Sequence, residues 1–225
     1  MRHFIQVLSV AFLCAASASA FAGATVEEKD KETWWVTVDK VPESLDECTA
    51  LRDEMGKTPQ GGMVYYHVAQ LIMIDKPELG EQCLIIGMDM SELAETIRLQ
   101  QKYRRTEVKG WQLGNKETDK MNSQGYKSNG CKDFAAKSFV VGTETAKGYA
   151  LPPLPYKYFV RAHKVQQKGG EYDGTWHGFV NSQASDGGAM PYFVKQNDKG
   201  VWKMWKSSSF YTACKQPPKA KKDDL

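Results

Sequence analysis

Residues 156–206 read YKYFVRAHKVQQKGGEYDGTWHGFVNSQASDGGAMPYFVKQNDKGVWKMWK, and the fold turns on this stretch. From Lys157 to Lys168 the residues alternate, the two-residue period of a strand with one face on a core. Gly169-Gly170 and Asp173-Gly174 mark the turn into a second strand over Thr175–Val180. Pro191–Gln196 is a further strand. Asn197-Asp198-Lys199-Gly200 then forms a hairpin loop, with glycine able to take the left-handed position. Val201–Lys206 returns, and Ser208–Ala213 closes the sheet. Strands joined in this way form an antiparallel meander.

The chain before the meander has a different period. Ser44-Leu45-Asp46-Glu47 is a capping box, in which Ser44 and Glu47 satisfy each other's backbone donors. Leu45, Cys48, Leu51 and Met55 recur at helical spacing until Gly56 stops the run. Thr58-Pro59 starts a second helix, and from Met63 to Ile74 apolar residues occur on nearly every side, as in a central, buried helix. Lys76-Pro77 opens a third helix through Ile86. Asp89 and Glu92 cap a fourth, running to about Arg105, with Leu93, Ile97 and Leu99 towards the core. Arg98, Lys102, Arg104 and Arg105 near its end suit a helix C-terminus, so no ligand is needed to explain them. Residues 110–155 are rich in Gly, Asn, Ser and Lys, with Trp111, Tyr126, Phe134 and Phe139 as aromatic anchors.

Helices first and a meander afterwards predict an α+β fold, about four N-terminal helices packed on a C-terminal antiparallel sheet. Residues 23–33 (GATVEEKDKET) are polar and without apolar period, so a flexible lead-in is expected there. One domain is expected over residues 34–214, with a charged, flexible tail over 215–225. The tail ends in Lys-Asp-Asp-Leu, which resembles a retention signal but reads as a charged, disordered end.

Residues 1–22 read MRHFIQVLSVAFLCAASASAFA. Arg2, an uncharged apolar core and two A-x-A sites compose a secretory signal peptide, with cleavage expected after Ala22. The protein is therefore expected in the periplasm or outside the cell, with no integral membrane segment once the signal is gone. Cys48, Cys83, Cys131 and Cys214 follow the signal, an even number that permits two disulfides in any of three connectivities. Cys48 and Cys83 fall on apolar helix faces, where bridging and simple burial are both open.

The 225 residues carry 30 basic and 27 acidic side chains, with 41% hydrophobic and 11% aromatic residues. That composition excludes collagen, coiled coil, disordered tail and multispanning membrane protein. Without Arg2 the chain holds 29 basic and 27 acidic residues. The tail holds four lysines against two aspartates, so the body between is formally neutral. A neutral body has no electrostatic reason to collect on phosphate backbones, and no nucleic-acid partner is expected.

Several blocks carry a resemblance. Pro77-Glu78-Leu79-Gly80-Glu81-Gln82-Cys83-Leu84 is the first, and Gly110-Trp111-Gln112-Leu113-Gly114 the second. Lys137-Ser138-Phe139-Val140-Val141-Gly142-Thr143 is the third, followed by Gly148-Tyr149 and Pro155-Tyr156. Gly178-Phe179-Val180, Ser185-Asp186-Gly187, Pro191, Gly200-Val201-Trp202-Lys203 and Ser208-Ser209-Phe210 complete the set. In this order, over most of residues 43–218, they resemble a family of uncharacterised secreted bacterial proteins defined only as a domain of unknown function. The resemblance implies a bacterial, exported, single-domain protein and brings no activity, cofactor or catalytic residue. Two positions depart from it. Thr145-Ala146-Lys147-Gly148-Tyr149 stands where a Pro-Glu-Asn-Gly-Tyr type turn is usual, and Met190 precedes Pro191 where the family has arginine.

The chain has no P-loop, G-x-S-x-G elbow, H-E-x-x-H or dinucleotide fingerprint, and no metal or cofactor is expected. His67, in the apolar second helix, reads as a packed core residue. His163 and His177 lie on adjacent strands and, with Asp173, are the candidates for a hydrolase site assembled from dispersed residues. As aspartate beside glycine, Asp173 ordinarily caps a turn. Trp202 and Trp205 fall on opposite faces by period-2 counting, so at least one leaves the main core. With Trp176 and Tyr192 they form the candidate contact surface, for exposed rings stack on sugars or anchor protein partners. The leading expectation is a non-catalytic binding or interaction module for an envelope or extracellular protein, or for a glycan. An exported hydrolase is the alternative.

Overall fold

The computed structural model describes residues 23–89, 93–95, 111–113, 131–183 and 189–207. Residues 1–22, where a signal peptide is expected, the expected closing strand 208–213, Cys214 and the tail 215–225 lie outside the described residues. The fold is α+β, with helices in the N-terminal part and a six-stranded antiparallel sheet. Strands β1 (Ala24–Asp30), β2 (Thr33–Val38), β5 (Tyr156–Ala162), β6 (Thr175–Asn181), β7 (Ala189–Gln196) and β8 (Trp202–Lys206) lie side by side in that order. The meander from β5 to β8 falls where the alternation of residues 156–206 puts it. Gly200 closes the last hairpin at φ 77°, in the left-handed region, and Asn197 Oδ1 accepts the amides of Lys199 and Val201.

The flexible lead-in expected over residues 23–33 is corrected: β1 occupies Ala24–Asp30 and pairs with β2 around Lys31-Glu32. Ala24 and Val26 pack against the core while Thr25 and the charged residues Glu27–Asp30 are exposed. A sheet edge tolerates such charges, so polarity hid a strand. Trp34-Trp35 likewise belongs to a strand, one ring on each face.

Of helices α1 (Leu45–Met55), α2 (Pro59–Asp75) and α3 (Pro77–Gly87), α2 lies across one face of the sheet, α1 packs on α2 and β1, and α3 packs on α2 and α1. Ser44 Oγ accepts the Glu47 amide at 3.2 Å, the first half of the expected box. The return bond goes one residue further out, from the Glu43 amide to Glu47 Oε2 at 2.7 Å. Lys40 also donates to Glu47, and these partners hold its carboxyl below the ordinary carboxylate range. Helix α2 is buried from Gln60 to Met73, as its all-round apolar composition requires. A Cβ at Gly62 would run into the Trp202 backbone, so glycine lets α2 lie directly against β8. Tyr65 bridges α2 and α3 by donating to the Cys83 carbonyl at 3.2 Å.

Cys48 and Cys83 form a disulfide, with Cα atoms 5.6 Å apart and both residues fully buried. Bridging, not simple burial, is thus the outcome of the two readings left open. The fourth helix expected through Arg105 is corrected at Leu93–Glu95, which form strand β3 and pair with β4 (Trp111–Leu113); the remainder lies outside the described residues. A short helix, α4, spans Cys131–Lys137.

Candidate functional site

The alternation that builds the sheet also divides its side chains. Trp34, Val36, Val38, Tyr158, Val160, Val180, Tyr192, Val194 and Met204 face the helices and the hydrophobic core. Odd-numbered residues of β2, β5, β6 and β7 turn the other way. Trp35 lies opposite Phe159, their ring centroids 5.0 Å apart, with the Lys29 ammonium 5.1 Å from the indole. Arg161 lies opposite Phe179 and sets its guanidinium 4.5 Å from that ring.

Next to them stands a stack of three. His163 lies 4.2 Å from His177 at 12°, and His177 lies 4.0 Å from Phe193 at 14°. Phe193 meets Trp205 edge-on at 6.1 Å, and Tyr172 meets the same indole edge-on at 5.5 Å. Lys206 sits 4.0 Å from Trp205 and donates to Glu171 at 3.1 Å, while Lys195 sits 5.3 Å from Trp205. Each cation–π contact contributes roughly 0.5–1 kcal/mol when exposed.

A bulge in β8 completes this face. Phe193 pairs with Lys206 and Val194 with Met204, so Trp205 is an extra residue on its strand. Both Trp205 and Lys206 consequently turn to the side of Phe193. Trp202 stays on the opposite, helix-covered side. The two tryptophans do separate, as period-2 counting predicts.

The expected contact residues fare unequally. Trp205 belongs to the outer face, although only 5% exposed. Trp176 and Trp202 pack against the core, Trp176 meeting Trp34 edge-on at 5.8 Å. A Cβ at Gly178 would collide with the Trp176 ring, which is why glycine stands there. Tyr192 is fully buried and offers a partner no surface. On the outer face the rings that present surface are Trp35, Phe159, Phe179, Phe193 and Tyr172, half-buried like Trp176 and Trp202 on the core side. Residue type alone does not single them out: each is set opposite, or against, another aromatic or cationic side chain only by the strand register.

Gln166 is a further positioning residue that residue-type reasoning passes over. Its carboxamide donates to the carbonyls of His163 (2.9 Å) and His177 (2.8 Å) and accepts the His177 amide at 2.8 Å. It thereby holds the ends of β5 and β6 together beneath the stack. Burial, with His163 adjacent, pulls the His177 ionisation down to about 4. His177 is neutral at neutral pH.

The hydrolase constellation does not assemble as a hydrogen-bonded unit. The two imidazoles meet face to face, so neither aims a nitrogen at the other. Asp173 accepts the Gly169 amide at 2.9 Å and closes its own turn. Among the described residues, no hydrogen bond joins Asp173 to either histidine, and no group of three His, Cys, Asp or Glu could hold a metal ion. A cavity of about 280 Å³ lies elsewhere, at the end of α2, lined by Leu71, Ile74, Asp75, Lys76, Leu151 and Leu154. None of the three candidates reaches it. His67 is fully buried among Tyr66, Phe139, Tyr158 and Tyr192, and burial pulls its ionisation down to about 3.

Cys131 begins α4, and Cys214 lies outside the described residues. Among the described residues, no helix is long and apolar enough to cross a membrane. No curated protein and no solved structure matches the chain. A family model does match, over residues 40–218, which take in helices α1 to α3 and, among the described residues, every strand except β1 and β2: the chain belongs to the family described as domain of unknown function DUF6935.

Proposed function

We propose that this is an exported bacterial protein acting by binding, in the periplasm or outside the cell, through the outer face of its sheet. The observation that carries the reading is the arrangement of half-buried rings there. Helices cover one side of the sheet, and the other displays Trp35, Phe159, Phe179, Phe193 and Tyr172 under a layer of cationic side chains. Apolar rings held in register and partly exposed are suited to a protein partner or a glycan. The signal-peptide pattern and the buried Cys48–Cys83 disulfide support an oxidising compartment.

The test is crosslinking capture of the tagged protein from the envelope and medium of its host, with Trp35→Ser and Phe179→Ser variants in parallel. Both positions point away from the core, so the melting temperature should hold while capture falls several-fold. Capture unchanged in both variants would remove the outer face as the contact surface. Replacing Trp176 or Trp202 tests the core instead and should lower stability.

A further inference from the structure

The charges of this protein are segregated in a way its neutral total conceals. Strands β2 and β5 to β8 contain no Asp or Glu. They do contain Lys157, Arg161, Lys195, Lys203 and Lys206, all on the outer face by the alternation and the β8 bulge. Within the six-stranded sheet carboxylates occur only in the edge strand β1, where Glu27 lies opposite Trp35 on the outer face and Lys29 adds a cation over the same indole. From the loops, Glu171 reaches this face and pairs with Lys206. Helices α1 to α3 carry Asp46, Glu47, Asp53, Glu54, Asp75, Glu78 and Glu81, so much of the acidic charge lies on the helical side of the molecule.

We infer that the outer face binds an anionic polysaccharide, one whose sugars bear carboxylate or sulfate groups. This rests on the reading of the outer face as a binding surface and names its ligand class. Two features of one surface match two features of one polymer. The rings of Trp35, Phe159, Phe179 and Phe193 accept the C–H faces of pyranoses, and the basic groups between them meet the acidic substituents. Arg161 can engage a carboxylate with two parallel N–H donors while its guanidinium rests on Phe179. The basic residues run across β5, β7 and β8, a row suited to an extended chain more than to a single small anion. Nucleic acid shares the negative charge. The export signature nevertheless places the chain among extracellular polymers, and the neutral body lacks the broad positive field of nucleic-acid binders.

The experiment is affinity electrophoresis of the full mature chain against dextran sulfate, polygalacturonate, unmodified dextran and a thirty-residue oligothymidylate. Wild type should be retarded by the two acidic polysaccharides and not by dextran, with affinity falling tenfold or more between about 50 and 300 mM NaCl. Arg161→Gln/Lys195→Gln/Lys206→Gln should lose at least tenfold. Lys57→Gln/Lys76→Gln/Lys137→Gln, which removes as much charge from the helical side, should lose less than twofold. Equal losses in the two triple variants would reduce the effect to net charge and overturn the inference.

Equal retardation by dextran without salt dependence would overturn the acidic specificity while leaving the outer face as a glycan surface. Tighter binding of the oligothymidylate would replace the ligand class. No retardation by either acidic polysaccharide at 50 mM NaCl would also overturn the inference. Whether the binding surface itself then survives is read separately, from the Trp35→Ser and Phe179→Ser capture comparison.

Discussion

His177 shows how much one position can carry. It is 7% exposed, stacked between His163 and Phe193, with its backbone fixed by Gln166. In the fold it takes a proton only near pH 4, whereas in the unfolded chain it does so near 6.5. Between those values the unfolded state binds more protons, so stability is complete above pH 6.5 and is lost as the pH falls towards 4. His177 contributes up to about 3 kcal/mol to that loss, and His67 adds to it in the same direction. His177→Phe keeps a ring in the stack and removes the titration. Urea melts between pH 7 and 4 should then show a shallower loss of stability than wild type. An unchanged slope would mean that the imidazole is protonated without cost in the folded protein. The sequence indicated that His163 and His177 approach each other, because a short hairpin joins them. It did not show the stacked geometry, which depends on Phe193 arriving from a third strand.

At the scale of elements, the polar segment 23–33 is the instructive case. Its apolar content amounts to Ala24 and Val26 on alternate positions, too little for a periodicity argument. What makes it a strand is β2, whose free edge supplies backbone partners from Ala24 to Asp30. Without residues 23–30, β2 becomes the sheet edge and exposes an unpaired strand containing Trp34 and Trp35. Truncation should cost about 1–2 kcal/mol from the contacts of Ala24 and Val26 alone, and more from lost pairing. Light scattering on warming should also show aggregation at a lower temperature than in the chain that retains residues 23–30. Equal stability and solubility would show that β1 contributes nothing to the sheet. By contrast, α1 and α2 were legible throughout, since a cap, a proline at the first turn and an apolar face are local features.

For the molecule as a whole, α2 is the axis on which both layers are assembled. It packs against both α1 and α3, which touch each other and are tied by the Cys48–Cys83 disulfide across a separation of 35 residues. Closing a loop of that length stabilises a fold by about 3–4 kcal/mol, chiefly by restricting the unfolded chain. Cys48→Ala/Cys83→Ala should therefore unfold at markedly lower urea concentration. Reductant should lower the wild-type midpoint towards that of the variant and leave the variant unmoved. Equal midpoints for wild type and variant would mean that packing around α2 alone holds the helices together.

The sequence by itself determined the α+β class, the three long helices and the meander from Tyr156 to Lys206, because these rest on capping and periodicity within a few residues of chain. It also set Trp202 and Trp205 on different faces. Only the tertiary structure decided which face each ring occupies, since a period of two fixes relative sides and leaves the identity of the core side open. Burying Tyr192, turning Trp176 inward and gathering Trp35, Phe159, Phe179 and Phe193 outside required the helices to choose one side of the sheet. The same choice sorted the charges, leaving a basic aromatic surface on a chain whose body is formally neutral.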